Sequence, residues 1–379
     1  MSQPSYDLSV LHIGAGKYRP FDRGHVSYGI WRELASGFRD YYVVGRSSGP
    51  AAQWTDGNLH INLLASRTER EAEFLLRQFG AIPIGNRIAP DVIVCQSPAL
   101  GGLAAALIAR LTGARVLMEL HGMEYFLRAR FGSRLWLLQQ LTRFGLAGAD
   151  RIRVVAPSMS SALLERYGAR ASGRATVVPP RVDTSLFSGR RRVRSAADPI
   201  RIVMVGAVNQ NKGQVRLIRA LEKVPFRVDL HVVGAGPHLS AVTAHAERMR
   251  AENRKLRIRA HGELSHAAVA GVLSDCDLFV FYSAMEAAGR AMMEAMAIGL
   301  PVIMTNAGFC VDFIEDGREG FILDADPDGE IVAILERFNR EPGLVERMGK
   351  AAQKRARRDY DSVKLFAAYR KLIAETAAK

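Results

Sequence analysis

The sequence predicts an α/β protein made of two facing Rossmann-like, doubly wound domains. The chain has 379 residues, which is too long for one ordinary core and indicates two domains. Apolar, strand-like runs alternate with helical stretches, as in parallel sheets with right-handed crossovers. The alternation is interrupted by a polar, charged stretch that ends in proline, SGRRRVRSAADP. We therefore expect a first domain at residues 1–187, a linker at 188–198 and a second domain at 199–358.

The first domain is expected to contain a parallel sheet with helices between its strands. One helix is predicted at Val26–Ala35 and a second, strongly apolar one at Leu100–Thr112. The strand-like runs are LSVLHIGAG, DYYVVG, DVIVCQS, ARVLMELHG and DRIRVVAPS.

The second domain repeats this pattern after the linker. Its strand-like runs are IRIVMVGAV, VDLHVVGAG, LRIRAHGEL, DLFVFYS, PVIMTN and EGFILDAD. The final tract, residues 359–379, has no sheet partner left, and we expect its helix to pack back on the first domain. Ligands of such sheets bind outside the carboxyl ends of the strands, so the cleft between the facing domains is the expected site.

Two carboxylates eight residues apart, Glu286 and Glu294, lie in the most informative segment, FYSAMEAAGRAMMEAMAIGLPVIMTNAG. Glu286 lies in a loop after an apolar strand, and a helix is predicted at Arg290–Ile298 because Gly299 and Pro301 end it. The amino end of such a helix presents free N–H groups and a partial positive charge. The segment can therefore hold a polar ligand that carries phosphate. On these residues alone, two unrelated surface carboxylates are an equal alternative.

The charge of the chain is positive and unevenly distributed. The formal net charge is +14, and residues 1–199 hold 26 Lys and Arg against 15 Asp and Glu, a net +11. A basic first half favours an anionic partner such as phospholipid, nucleic acid or a phosphorylated substrate. Nucleic acid is the less favoured of these, because no recognition module accompanies the charge. The alternative is a compositional bias toward arginine, which outnumbers lysine 43 to 9.

Targeting and redox features indicate a cytoplasmic protein. No apolar run reaches the roughly 18 residues of a membrane span, and no charged-then-apolar leader opens the chain. The three cysteines, Cys95, Cys276 and Cys310, are widely spaced in apolar surroundings. This pattern favours buried thiols over disulfides or a metal site.

Six motifs occur in an order and at a spacing typical of one enzyme family. They are GKYRPFDRGHVSYGI, ELHGME, VVPPRVDTSLF, IVMVGAVNQNKGQVRLIRAL, DLHVVGAGP with RAHGELSH, and the glutamate-pair segment continued by PVIMTNAG and IEDGREGFIL. Together they resemble the retaining glycosyltransferases of family 4, which have the GT-B fold. The resemblance extends over nearly the whole chain and is strongest from Ala149 to Gly320.

The resemblance implies sugar transfer from a nucleotide-diphosphate donor with retained anomeric configuration, without a cofactor or an obligatory metal. It assigns catalytic positions to His121, Lys212 and Glu286, with Lys212 on the diphosphate and the other two on the donor sugar. Glu294 would accept hydrogen bonds from the ribose. The other donor-binding positions are Gly16, Gly206, Gly262, Gly289, Arg290 and Ala291, and the acceptor-side positions are Arg23, Gly24, His25 and Glu124. Read alone, Lys212 is more readily interpreted as a solvated loop lysine, and His121 is equally a partly buried histidine.

The sequence departs from the family pattern at the diphosphate site. The family usually carries arginine directly after Gly206, where this chain has Ala207, and its Glu-Gly-Phe-Gly appears here as Glu-Ala-Ala-Gly before Arg290. Our hypothesis is that Arg290, at the start of the predicted helix, supplies the missing charge. The alternative is that Arg290 points into solvent and Lys212 acts alone.

The implied reaction moves a hexose-type sugar to a polysaccharide, lipopolysaccharide or lipid-linked acceptor. Residues 123–146, MEYFLRARFGSRLWLLQQLTRFGL, interleave aromatic and arginine side chains. They could rest on an anionic membrane surface, the inner face of the cell membrane. Leu135–Leu141 is equally interpreted as an inward core face. Two other functions stay open: a catalytically inactive, glycosyltransferase-like binding or scaffold protein, and a phosphorylase-like or nucleotide-binding enzyme of similar fold.

Overall fold

The computed structural model describes residues 6–18, 26–47, 49–65, 78–188, 195 and 197–378. The chain divides into two compact units, one made of Met1–Pro179 with Lys364–Lys379 and the other of Pro180–Val363. Each unit contains a mainly parallel sheet with helices in the crossovers, so the predicted α/β class with two Rossmann-like domains is confirmed.

The first unit contains, within its described residues, an eight-stranded sheet in the order β3-β4-β2-β1-β5-β6-β7-β8. Neighbouring strands are parallel except β3 and β4, which form an antiparallel hairpin at one edge. The strands are β1 (Tyr6–Tyr18), β2 (Phe38–Ser47), β3 (Ala52–Asp56), β4 (Leu59–Ala65), β5 (Val92–Cys95), β6 (Arg115–Leu120), β7 (Arg151–Val154) and β8 (Ala175–Val177).

The helices of the first unit lie in the connections between its strands. They are α1 (Val26–Ala35), α2 (Ala81–Ile88), α3 (Leu100–Thr112), α4 (Arg134–Ala147), α5 (Pro157–Tyr167) and the short α6 (Ala169–Ser172). Helix α4 begins at a side-chain cap, where the Ser133 hydroxyl accepts a hydrogen bond of 3.1 Å from the Trp136 amide. The central strand β5 is wholly apolar and buried, as expected for a parallel strand in the interior of a sheet.

The second unit has a six-stranded parallel sheet in the order β11-β10-β9-β12-β13-β14 among its described residues. Numbered from its first strand, this is the order 3-2-1-4-5-6 of a dinucleotide-binding Rossmann fold, which reverses direction between β9 and β12. The strands are β9 (Ile200–Val205), β10 (Val228–Val233), β11 (Leu256–Gly262), β12 (Leu278–Phe281), β13 (Val302–Thr305) and β14 (Gly320–Leu323).

The crossover helices of the second unit include the predicted Arg290–Ile298 helix, which has those bounds in the structure. Most of its residues are buried, so it lies deep in the unit rather than on its surface. The helices are α7 (Gln214–Leu221), α8 (Leu239–Ala251), α9 (His266–Ser274), α10 (Arg290–Ile298), α11 (Pro327–Arg340) and α12 (Pro342–Asp359), with a 3₁₀ turn at Gly308–Phe313.

The boundary between the units differs from the predicted linker. The chain enters the second unit between 179 and 180, not between 187 and 199. The reason is pairing with a distant part of the chain: the Val182 amide donates to the Tyr360 carbonyl at 2.8 Å, and the Ser362 amide donates to the Val182 carbonyl at 2.8 Å. Most of the predicted linker, residues 189–194 and 196, lies outside the described residues.

The last helix, α13 (Ser362–Ala377), belongs to the first unit from residue 364 onward. Its apolar side chains Tyr369, Leu372 and Ile373 are part of the core formed around β1, β2 and β5. The guanidinium of Arg370 donates to the carbonyl of Glu33 at 2.7 Å and pairs with its carboxylate. The first unit is therefore built from two separate stretches of chain.

Two further observations concern the described residues as a whole. The three cysteines are free and buried, as their spacing predicted. Every helix in the described ranges is too short or too polar to cross a lipid bilayer.

Candidate functional site

A pocket of about 340 Å³ opens at the carboxyl ends of β9, β10 and β12 in the second unit. This is the edge where the strand order reverses between β9 and β12, the place where α/β sheets bind ligands. Seven predicted donor-binding residues line it: Gly206, Lys212, Glu286, Gly289, Arg290, Ala291 and Glu294. The structure thus brings residues that are far apart in sequence into one pocket, and their roles stay predictions.

The floor of the pocket is formed by backbone that has no room for side chains. Gly206 and Gly234 follow β9 and β10 with φ of +146° and +135°. A Cβ atom on Gly234 would lie 2.0 Å from the Gly206 carbonyl oxygen. Glycine is therefore required where the two strand ends meet, which leaves their peptide groups open to a ligand.

Lys212 and Glu286 form an ion pair across the pocket, with the Lys212 ammonium on Glu286 Oε2. The ammonium also lies 5.0 Å from the centroid of the Phe281 ring. The Lys212 amide donates to Asn209 Oδ1 at 3.0 Å, which fixes the loop that carries it. Both side chains of the pair are about one-fifth exposed, so each can reach a ligand in the pocket.

The amino end of α10 supplies a second positive feature. Gly289 precedes the helix, and its carbonyl accepts the hydrogen bonds of the Met292 and Met293 amides at 3.0 and 3.2 Å. The amides of Arg290 and Ala291 come before these first intrahelical bonds, and both residues line the pocket. An anion placed here meets free N–H groups and the positive end of the helix dipole.

Glu294 lies one turn into α10 and is only 6% exposed. Burial raises the pKa of its carboxyl to about 7, while the charge of Arg290 acts in the opposite direction. The Arg290 Nε atom lies 3.7 Å from Glu294 Oε1. A carboxyl of this kind is half ionised near neutral pH, and hydroxyl donors from a ligand would favour its charged form.

Arg290 lines the same pocket as Ala207, the position where the family pattern has arginine. Its side chain is half exposed, so the guanidinium keeps access to solvent and to the pocket. The Ala207 carbonyl accepts a hydrogen bond of 3.0 Å from Gln214 Nε2, which ties this loop to the start of α7. These positions are compatible with the hypothesis that Arg290 supplies the missing charge.

Several lining residues were missed by the sequence analysis. Glu263 and His266 follow β11 and line the pocket, whereas the predicted Gly262 lies just before them and does not line it. Burial lowers the pKa of His266, and the charge of Arg290 lowers it further. The signal was present, because residues just after a strand of such a sheet point to the ligand edge.

The described site residues predicted in the first unit are not among those that line this pocket. His121 follows β6, and its Nε2 atom lies 3.1 Å from Oε2 of the fully buried Glu119. Glu124 lies in the next turn, where its carbonyl accepts a hydrogen bond of 2.9 Å from Gln139 Nε2. Gly16 lies in β1. The predicted acceptor-side residues Arg23, Gly24 and His25 lie outside the described residues.

The aromatic and arginine-rich segment has a polar inward face. The residues of α4 that are buried are Gln139, Thr142, Gly145 and Leu146. Phe131 is 84% exposed and lies 4.9 Å from the Trp136 ring, and Phe144 is 67% exposed. The apolar side chains of the segment are thus divided between partly buried and exposed positions.

The described residues contain no group of three or more His, Cys, Asp or Glu side chains placed to hold a metal ion. Two cationic side chains, those of Lys212 and Arg290, line the pocket.

Comparison with known families gives two matches. Residues 189–355 match the family described as "Glycosyl transferases group 1". Residues 27–181 match the family described as "Glycosyl transferase 4-like domain". The first of these ranges lies within the second unit, and the other ends two residues past the junction between the units.

Curated relatives are similar over part of their length. The D-inositol 3-phosphate glycosyltransferase of Arthrobacter sp. (strain FB24) is 27% identical over 215 residues, 54% of this chain and 51% of that protein. The GDP-mannose-dependent alpha-(1-6)-phosphatidylinositol monomannoside mannosyltransferase of Mycobacterium tuberculosis is 30% identical over 232 residues, 57% of this chain and 58% of that protein. The matches thus span about half the length of these relatives.

Solved structures share the fold over the whole chain. Sucrose-phosphate synthase from Thermosynechococcus elongatus superposes with a TM-score of 0.79 at 17% identity, covering 100% of both chains. HepE from Anabaena, solved with UDP and glucose, gives 0.73 at 18% identity, covering 98% of this chain and all of that one. The identities are low, so these structures bear on the fold alone, and they support the predicted GT-B architecture.

Proposed function

The chain belongs to glycosyltransferase family 4, and from this premise we propose that it moves a hexose-type sugar from a nucleoside-diphosphate donor to a glycan or lipid-linked acceptor with retained anomeric configuration. The observation that carries the proposal is the pocket at the strand-order reversal of the second unit. It combines the Lys212–Glu286 ion pair, the amino end of α10 and the buried carboxyl of Glu294.

The pocket offers matching groups for each part of such a donor. The diphosphate would lie between the Lys212 ammonium and the amides of Arg290 and Ala291, where two kinds of positive charge converge. Glu294 would accept hydrogen bonds from the ribose, because a buried carboxylate needs donors that solvent does not supply. Glu286, released from its ion pair when phosphate binds Lys212, would accept hydrogen bonds from hydroxyls of the sugar.

The chemistry follows from stabilising the departing diphosphate. The bond between the sugar C1 and the diphosphate oxygen breaks, the acceptor oxygen bonds to C1 on the same face, and the acceptor proton passes to the departing phosphate oxygen. Lys212 and the helix amides stabilise the negative charge that develops. Because side-chain and backbone groups provide this charge, we propose that no metal ion is obligatory and that no carboxylate acts as nucleophile.

The acceptor is proposed to be bound by the first unit. The excess of basic residues in the first half of the chain favours an anionic or lipid-linked acceptor. Exposed Phe131 and Phe144 together with the arginines of residues 128–143 fit contact with an anionic membrane surface. Co-sedimentation with liposomes should increase with the fraction of anionic lipid and fall when both phenylalanines are changed to serine; no dependence on anionic lipid would contradict the membrane proposal.

The donor can be identified by thermal stabilisation with a panel of UDP-, GDP-, ADP- and TDP-sugars. A donor at about 100 times its Kd should stabilise the protein by about 2.7 kcal/mol. The donors that bind are then incubated with glycan and lipid acceptors, with and without a chelator, and proton NMR of the product gives the anomeric configuration. Binding without hydrolysis or transfer would favour an inactive binding protein, and no binding of any donor would overturn the proposal.

A further inference from the structure

We propose that the buried carboxylate of Glu119 is a positioning residue for His121 and that helix α13 completes the group that holds it. The inference deepens the proposed function, because it depends on His121 meeting the donor sugar. It concerns a cluster in the first unit that the donor pocket does not include. The cluster consists of Glu119, His121, Arg153 and Tyr369, from β6, the loop after it, β7 and α13.

The two oxygens of Glu119 have different partners. Oε2 lies 3.1 Å from His121 Nε2. Oε1 accepts a hydrogen bond of 2.6 Å from Arg153 Nη1 and another from the Tyr369 hydroxyl. The Glu119 side chain has no solvent exposure, whereas the His121 side chain is 39% exposed. The carboxylate thus links an internal support on one side to a surface histidine on the other.

The support is rigid because Arg153 is itself held at several points. Its Nε donates to the Val178 carbonyl at 3.0 Å and its Nη2 to the Pro179 carbonyl at 3.4 Å. Its guanidinium lies 4.4 Å from the centroid of the Tyr369 ring. A buried ion pair whose hydrogen bonds are satisfied has one favoured geometry, so Glu119 Oε2 stays in a fixed place.

Glu119 is ionised in this cluster. Burial alone would raise the pKa of its carboxyl, but the charge of Arg153 and the contact with His121 hold it well below its usual range. An ionised carboxylate only accepts hydrogen bonds, so the His121 Nε2 atom must carry a hydrogen. In the neutral ring Nδ1 is then a hydrogen-bond acceptor. The cluster therefore selects one tautomer of the neutral ring, in which Nδ1 can accept a hydrogen bond from a sugar hydroxyl.

Helix α13 contributes through the Tyr369 hydroxyl, 250 residues away from Glu119 in sequence. Without that hydroxyl, Glu119 Oε1 keeps Arg153 but loses one of its two donors. We expect a weaker hold on His121 and a smaller loss of activity than when Glu119 itself is changed. The last helix thus acts on the reaction through two buried side chains, without contact to the substrate.

The test is a double-mutant cycle between Glu119 and His121. Glu119→Gln presents an amide to His121, which favours the other tautomer, and kcat should fall about 10- to 100-fold. The KM for the donor and the thermal shift with nucleoside diphosphate should change little, because the diphosphate pocket is in the second unit. In a His121→Ala background the same change should have no further effect on kcat. Additive losses would overturn the proposal.

Tyr369→Phe provides a milder variant if Glu119→Gln folds poorly. It should lower kcat a fewfold in the wild-type background and leave it unchanged in the His121→Ala background. Tyr360→Phe is the matched control, because it removes a buried hydroxyl that bonds Arg355 and the Phe313 carbonyl in the second unit. Its kcat should equal that of the wild type.

A readout without activity separates this inference from the proposed function. In ¹⁵N-labelled protein the His121 ring should show the Nε2–H tautomer, and Glu119→Gln should shift it toward Nδ1–H. If no donor is turned over but the tautomer shifts, the proposed function fails and the positioning by Glu119 stands. If wild type and variant show the same tautomers, the positioning by Glu119 is wrong whatever the activity.

Discussion

Glu119 in the first unit and Glu294 in the second are both buried carboxyls, yet their surroundings move their pKa values in opposite directions. Glu119 contacts His121, Arg153 and Tyr369, and its pKa lies well below the usual range. Glu294 has Arg290 at 3.7 Å as its ion-pair partner among the described residues, and its pKa is raised to about 7. Both side chains are buried, so the difference between their pKa values comes from their partners.

The comparison indicates how a supporting carboxylate differs from one that awaits a ligand. Glu119 already has the donors that an ionised carboxylate needs, and adding a ligand would gain it nothing. Glu294 lies at the wall of a pocket, and its ionised form is disfavoured until donors arrive. We expect Glu119 to stabilise the fold. We expect Glu294 to lower the stability of the ligand-free protein and to contribute to ligand binding.

The largest expected effect comes from removing the cation that pairs with Glu119. Arg153→Met leaves a buried carboxylate without its cation and should lower the free energy of unfolding by about 3–5 kcal/mol at pH 7. The measurement is urea unfolding at constant m-value. The double variant with Glu119→Leu should recover much of the loss, because it removes the unpaired charge as well. An Arg153→Met protein as stable as the wild type would contradict our account of the cluster.

Glu294→Gln should have the opposite sign of effect on stability. The folded pKa of about 7 lies above the usual value of 4.5, so the folded state holds the proton more tightly and loses stability as pH rises from about 4.5 through 7. Glutamine removes this loss, and the variant should gain up to about 3 kcal/mol over wild type at pH 8 and little at pH 4.5. Donor affinity should fall at the same time. A variant that is less stable than the wild type at pH 8 would show that the Glu294 carboxylate accepts further hydrogen bonds in the folded protein.

The pH dependence of ligand binding tests whether the ionised form of Glu294 contacts the ribose. If ribose hydroxyls bind the ionised form of Glu294, affinity for a nucleoside diphosphate should rise by up to about tenfold per pH unit. The rise should end at about pH 7, where the affinity levels off. Calorimetry between pH 5.5 and 8 measures this. The terminal phosphate of the ligand itself titrates near pH 6. The control is therefore Glu294→Gln, in which only the pH dependence caused by the phosphate should remain. Equal slopes in both proteins would exclude the ribose contact.

The smallest expected effect concerns the cation beside Glu294. Arg290→Ala should weaken nucleoside-diphosphate binding about five- to tenfold, roughly the contribution of one charge-assisted contact. It should also raise the pKa of Glu294, because the charge of Arg290 now lowers it. Arg318→Ala is the matched control, since Arg318 is an exposed arginine paired with Glu315. Unchanged affinity in Arg290→Ala would leave Lys212 as the sufficient cation.

The elements that carry a local pattern were predictable from the sequence. Helix α10 has the predicted bounds because Gly299 and Pro301 end it, and its burial pattern matches its apolar composition. The strands of the second unit were visible as apolar runs, and the rule that ligands bind outside the carboxyl ends of such strands predicted the edge where the pocket lies. The β3–β4 hairpin was missed, although the turn residues Gly57 and Asn58 separate two alternating segments, because its half-exposed strands lack a continuous apolar run.

Features that depend on distant pairing could not be predicted. The contact between Glu119 and Tyr369 spans 250 residues and has no local signature. The burial of Glu294 depends on how α10 packs in the unit, which periodicity does not give. The unit boundary was misplaced for the same reason, because the hydrogen bonds of Val182 are to residues 360 and 362.

Helix α13 also bears on the order in which the two units can form on the ribosome. The second unit is one continuous stretch, Pro180–Val363, and needs no segment from elsewhere in the chain to complete its core. The first unit is translated earlier but lacks Tyr369, Leu372 and Ile373 of its core until the last helix emerges. Until α13 has been made, part of the apolar surface of this sheet is uncovered, and Glu119 lacks the hydrogen bond from Tyr369. Although most of the first unit is made first, it can reach its final state only after the whole second unit has been translated.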